Sequence, residues 1–176
     1  MNAPAAAALL VLLFVPAAVA DADAPVGRVT LTQPGTDVSG DTLSGNLKQK
    51  TMTLTGNVVL HRTQPSASGN SLGKLGEQPS TITSDELTVD WGHKLYTAVG
   101  NVRYVQGERT MSADRGVFDE TAHELDLNGN VHIREGERFA DARTVHYDTV
   151  TEQVVMQGSV LVRLPAPTPE PTTAAS

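Results

Sequence analysis

The chain has no cysteine, so neither a disulfide nor a thiolate ligand can contribute to its fold. Aromatic residues make up only 4% of it, which leaves a dry interior to be built from aliphatic side chains. Lys and Arg number 13 against 20 Asp and Glu, a formal net charge of −7. That balance excludes sequence-independent nucleic-acid binding, which needs clustered basic side chains, and docking to an anionic membrane by charge alone. Catalytic signatures are missing as well. His61, His93, His123, His132 and His146 stand at unrelated spacings with no H-E-x-x-H pair, and no G-x-S-x-G elbow occurs. No nucleophile, base and orienting group can be named together. The expectation is a protein that is not an enzyme, with no catalytic residue, metal site or cofactor.

Charge is also absent from residues 1–20, which are dominated by Ala, Leu and Val and end Ala18-Val19-Ala20 before Asp21. An apolar run closing on small residues reads as a cleavable secretory signal peptide, and it is short for a membrane span. The basic residues that usually precede such a run are missing, so an uncleaved anchor stays open. Residues 21–27 read as a flexible arm. Residues 165–176 carry four prolines, cannot join a sheet ladder, and read as a disordered tail. One domain over 28–164 remains, long enough for a substantial core.

What the chain does contain is a repeat. Gly-Asn-Val recurs at Gly56, Gly100 and Gly129, and Gly-Ser-Val at Gly158, with intervals of 44, 29 and 29 residues. The surplus in the first interval matches a Pro/Ser/Gly-rich inserted loop over 63–80, so four copies of one unit are expected. Two and four residues either side of each glycine stand Met52, Leu54, Val58, Leu60; Tyr96, Ala98, Val102, Tyr104; Leu125, Leu127, Val131, Ile133; and Val154, Met156, Val160, Val162. The positions between them are mostly polar. A period of two predicts half-buried strands with one dry face. Glycine in mid-strand marks a bend or bulge, and four bends on one side would curl a sheet.

A second strand precedes each glycine strand, with apolar positions Val38, Leu43; Ile82, Leu87, Val89; Met111, Val117, Phe118; and Val145, Tyr147. Its dry phase shifts beside Asp41, Asp85 and Asp114, each 15 residues before a glycine. One extra residue there would be a bulge whose unpaired backbone N–H welcomes a short carboxylate, a structural role for this aspartate column. Arg143 in the fourth copy argues against catalysis by the column. Asn46, Asp90, Asp119 and Asp148 mark turns between paired strands, and Arg28 to Thr32 alternates like an N-terminal edge strand.

The four Gly-[Asn/Ser]-Val copies in register, each after a paired strand and behind an export signal, resemble the OstA-like domain of periplasmic lipopolysaccharide-transport proteins over about Val29 to Val162. The resemblance is to the soluble bridge member, and the membrane-anchored sister member shares the domain. It implies an all-β, open β-jellyroll fold built from four two-strand repeats. It implies as partners lipopolysaccharide, an inner-membrane ABC exporter complex and an outer-membrane translocon, with location in the periplasm and no nucleic acid. On this footing the inward residues Leu54, Val58, Leu60, Val102, Tyr104, Leu127, Val131, Ile133, Met156 and Val160 are expected to line an apolar groove for acyl chains. For any single one of them, plain core packing is an equal claim on the same chemistry.

Copy four is apolar on both faces, since Val155 and Leu161 point outward. Unpaired strand edges template the addition of another strand. Val155 and Leu161 at one end, with Val29 and Leu31 at the other, are therefore expected to form assembly edges of a head-to-tail homo-oligomer. The competing reading covers the last strand with the proline tail or the inserted loop. A lipid-carrying bridge, a β-repeat scaffold with a closed core and a carbohydrate-active enzyme using Asp85 are the three function classes in contention.

Overall fold

The computed structural model describes residues 27–33, 35–63 and 78–165. The expected signal peptide, most of the arm and tail, and the body of the inserted loop lie outside these residues. Every regular element among them is a strand: β1 (Val29–Gln33), β2 (Thr36–Gly40), β3 (Thr42–Asn46), β4 (Thr51–Arg62), β5 (Ser80–Asp90), β6 (Leu95–Gln106), β7 (Arg109–Asp119), β8 (Glu124–Glu135), β9 (Arg138–Asp148), β10 (Val154–Gln157) and β11 (Leu161–Arg163).

All pair antiparallel in one sheet, in the order β1-β2-β4-β5-β6-β7-β8-β9-β10, with β3 also on β4 and β11 also on β9. Sequence neighbours are sheet neighbours because each turn is too short for a crossover. The first and last copies depart from the expected unbroken strands. Asp41 splits the first aspartate strand into β2 and β3, and Gly158 to Val160 split the last glycine strand into β10 and β11.

The bulges lie on the glycine strands, which corrects the expected placement on the aspartate strands. Between Thr55↔Glu86 and Val58↔Ser84, Gly56 and Asn57 stand opposite Asp85 alone. Gly100 and Asn101 stand likewise opposite Asp114, and Gly129 and Asn130 opposite Arg143. Both bulge residues are left-handed, with φ of 76° at Gly129 and 45° at Asn130, and Gly-Asn is the pair that tolerates this at least cost. The aspartate's role also differs in detail. Asp41 N–H is already bonded, at 2.9 Å to the carbonyls of both Thr55 and Gly56. Its carboxylate instead accepts from the Asn57 amide at 3.0 Å, and Asp85 and Asp114 accept from Asn101 and Asn130 at 2.9 Å. The column is a set of braces that pin each bulge.

Alternation buries one face. Met52, Leu54, Val58, Leu87, Ala98 and Val102 form one core cluster, and Met111, Ala113, Leu127, Val131 and Val145 a second. No helix exists among the described residues to cover these clusters, so the cover is the sheet itself, curled at its bulges into an open jellyroll. Tyr104 on β6 and Tyr147 on β9, which share no ladder, are close enough to affect each other electrostatically. The inward end of β4 is closed by Arg62, which is 8% exposed and donates from Nη2 to Ser80 Oγ at 3.0 Å. Burial lowers its pKa, and nearby Tyr104 opposes that shift.

Candidate functional site

The ten groove residues divide by position in the curl. Leu54, Val58, Val102, Leu127 and Val131 lie deep, at 0–6% exposure. Leu60, Tyr104, Ile133 and Met156 are half-buried toward the ends of their strands and pack against the same clusters. Val160 departs from the expected lining: it stands outside the ladder, in the break between β10 and β11, and is 48% exposed. The break follows from missing pieces, because Arg143 and Ser159 replace the Asp–Asn brace of the other copies.

The interior is packed with the protein's own side chains rather than standing open as a trough. Two hollows formed by described residues lie elsewhere. One, of about 530 Å3, is lined by the turns Lys48 to Thr51 and Asp90 to His93. The other, of about 240 Å3, sits on the outer side between β8, β9 and β10, beside Asp126, Asn128, His146 and Val155. On that outer side His146 Nδ1 lies 2.8 Å from Asp126 Oδ1, and the carboxylate raises the imidazole pKa. His132 Nδ1 lies 2.6 Å from Asp141 Oδ1. Burial, reinforced by Glu120, pushes the Tyr96 hydroxyl up to about 12.

The expected assembly edges are edges. β1 flanks the sheet at one side, with Val29 and Leu31 half-buried opposite Gly40 and Val38. β10 and β11 flank the other, with Val155 49% and Leu161 54% exposed. Arg163 covers the Phe139 ring at 5.1 Å, and Val154, Val162 and Leu164 are also exposed.

Sequence periodicity gave no hint of a regular row of turns along one end of the sheet. Six residues before each glycine, Lys50, Lys94, His123 and Glu152 are all left-handed, with φ of 55°, 56°, 62° and 59°. Each of the first three offers its carbonyl to the next turn: Trp91 N–H donates to Lys50, Glu120 to Lys94 and Thr149 to His123, at 3.1, 3.1 and 2.9 Å. The turn carboxylates are held by their own loops. The His93 ring and then its N–H hold the Asp90 carboxyl below its usual pKa, and the Thr151 and Val150 N–H groups do the same for Asp148. No signal for the row exists at side-chain level, since Lys, Lys, His and Glu share only a backbone conformation.

No curated protein matches the chain. Among solved structures it is similar to the crystal structure of LptH, the LptA-homologous periplasmic component of the lipopolysaccharide transport device of Pseudomonas aeruginosa. The TM-score is 0.57 at 15% identity, covering 74% of this chain and 94% of that one, which shows a shared fold. The family described as LptA/(LptD N-terminal domain) LPS transport protein matches residues 81–172, which is 92 of 176 residues. The repeats at Gly100, Gly129 and Gly158, with their bulges and paired strands, fall within that match, and the chain belongs to this lipopolysaccharide-transport family.

Proposed function

We propose that the protein carries lipopolysaccharide through the periplasm, sheltering acyl chains between the two halves of its curled sheet, and that copies assemble head to tail through edge strands. The inner-membrane exporter and outer-membrane translocon are the partners at the two ends of such a bridge. One observation carries the reading: an inward aliphatic row that includes Leu54, Leu87, Val102, Leu127 and Val145 crosses the central strands without a polar interruption. Hydrocarbon crossing water needs such a continuous surface, because each exposed methylene costs about 0.8 kcal/mol. Low aromatic content suits cargo that must move on rather than be gripped.

Uptake requires the halves to part, since the deep residues are closed over. That closure also supports a second reading, a scaffold whose interior never opens. A photo-crosslinking residue at half-buried Met156 or at Leu127 should capture lipopolysaccharide in cells, while one at outward Asn128 should not. Equal capture at inward and outward positions, or purified protein free of lipid by mass spectrometry, would leave the scaffold reading standing in its place.

A further inference from the structure

Two open half-edges of the sheet match one another. β1 covers only β2, so β3 bonds to β4 and to nothing beyond it; at the far side β10 bonds only to β9. β10 runs in the direction of β4 and β3 runs against it, so β3 of a second copy laid beside β10 meets it antiparallel. β1 runs with β10 and β11 and would meet them parallel, a slightly weaker ladder. Within the chain each glycine strand meets the following aspartate strand in a constant register, with Leu54 opposite Leu87 and Leu127 opposite Val145. One more step of that register sets Met156 opposite Leu43 of the next copy and Val155 opposite Ser44. Met156 and Leu43 are the half-buried rims of the second and first core clusters, so the step closes two incomplete apolar faces at once.

The row of turns points to the same step independently. Trp91, Glu120 and Thr149, each nine residues before a glycine, donate N–H to the carbonyl of the preceding turn. Leu47 is that position in the first copy, 66% exposed, with no copy before it. The charges are complementary too. The first turn carries Lys48 and Lys50, and the last carries Asp148 and Glu152. Inside the chain a turn lysine already reaches an acid of the following turn, Lys94 Nζ to Glu120 Oε1 at 3.8 Å.

We propose that β10 of one copy adds antiparallel to β3 of the next, with Leu47 N–H donating to the Glu152 carbonyl and the Lys48 ammonium meeting the Glu152 carboxylate. The lysine turn and the acidic turn thereby set the register and direction of stacking. The inference rests on the head-to-tail part of the proposed function and places its junction at β3 rather than at β1.

Because the chain lacks cysteine, full-chain variants can be crosslinked in pairs. Ser44→Cys mixed with Val155→Cys should yield an oxidised dimer containing one of each, since directly opposed residues bring their Cβ atoms within disulfide reach. Crosslinking of Thr30→Cys with Leu161→Cys in place of that pair would overturn the β3 junction while leaving head-to-tail stacking intact. No crosslink in either mixture, with a monomer in sedimentation, would sink both. Lys48→Glu should weaken self-association about 3-fold, and adding Glu152→Lys in the same chain should restore it. If Lys48→Glu instead leaves self-association unchanged and reduces binding only to lipopolysaccharide vesicles, the turn lysines serve phosphorylated headgroups and the proposed latch is wrong.

Discussion

Replacing Gly129 by alanine tests the bulge directly. At φ +76° an L side chain is strained by about 1–2 kcal/mol. The added Cβ would also lie 2.8 Å from Cβ and Cγ of Asp114, so that side chain must swing away. Swinging it breaks the 2.9 Å bond from the Asn130 amide, worth about 1 kcal/mol at this exposure. The total is about 2–3 kcal/mol, or roughly 10 °C in melting temperature for a domain of this size. Asp114→Ala alone should cost about 1 kcal/mol by losing the brace. Because the brace can be lost only once, the double variant should fall short of the sum by about that amount. Gly45→Ala is the control: its φ is not left-handed and its new Cβ would meet only the Thr51 carbonyl at 3.4 Å, so it should be neutral or mildly stabilising. Urea unfolding of the four proteins with matched m-values provides the comparison. A Gly129→Ala no more costly than Gly45→Ala, or full additivity with Asp114→Ala, would refute the brace.

Leu54→Ala should cost about 2–5 kcal/mol because the side chain is 0% exposed, whereas Val160→Ala in the open break should cost under about 0.5 kcal/mol; equal losses would contradict the burial pattern. His146 titrates above its ordinary value because Asp126 accepts its Nδ1–H. A raised folded-state pKa contributes stability below about pH 6.5, the unfolded value, and that contribution is lost as pH rises through the folded value. The melting-temperature gap between the parent protein and Asp126→Asn should therefore be widest near pH 5.5 and narrow above neutrality, and a gap that widens toward alkaline pH would reverse the assignment. Its size is small, since both side chains are over 40% exposed.

The glycine strands were legible from sequence because a period of two carries their whole instruction: Met52 to Leu60 and Leu125 to Ile133 say which side is dry, and the sheet obeys. The phase shift beside Asp85 was legible too, but not which strand held the extra residue. Register is a property of two strands, and only Gly100-Asn101 taken as a left-handed pair points to the right one. The break at Gly158 to Val160 followed from Arg143 and Ser159, substitutions visible in sequence whose effect depends on a brace that sequence does not display. Burial of Leu54 was legible; what covers it was not. Alternation specifies a dry face, and hydrocarbon and a folded-over sheet satisfy that requirement equally.

That ambiguity becomes an argument about where cargo enters. Burying an acyl chain of about ten methylenes gains about 8 kcal/mol, and uncovering a deep Leu or Val costs about 1.5–3 kcal/mol, so one chain offsets the exposure of only a few core residues. Uptake then starts where least must be uncovered. The first cluster is sealed at Leu54 and Val58, at 0% and 2% exposure, and β1, β2 and β3 add Leu31, Val38 and Leu43 to it. The second is rimmed by half-buried Ile133, Tyr147 and Met156, and beyond it β10 and β11 are short, broken and exposed. Strands with few covered neighbours open at low free energy. Hydrogen exchange should thus show weaker protection across Arg138 to Arg163 than across Thr51 to Arg62 in the free protein, and added lipopolysaccharide should raise protection first at Ile133, Ala140 and Val145. Protection that rises first around Leu54 and Val58 would mean that lipid enters through the sealed half, against the energetics of its burial.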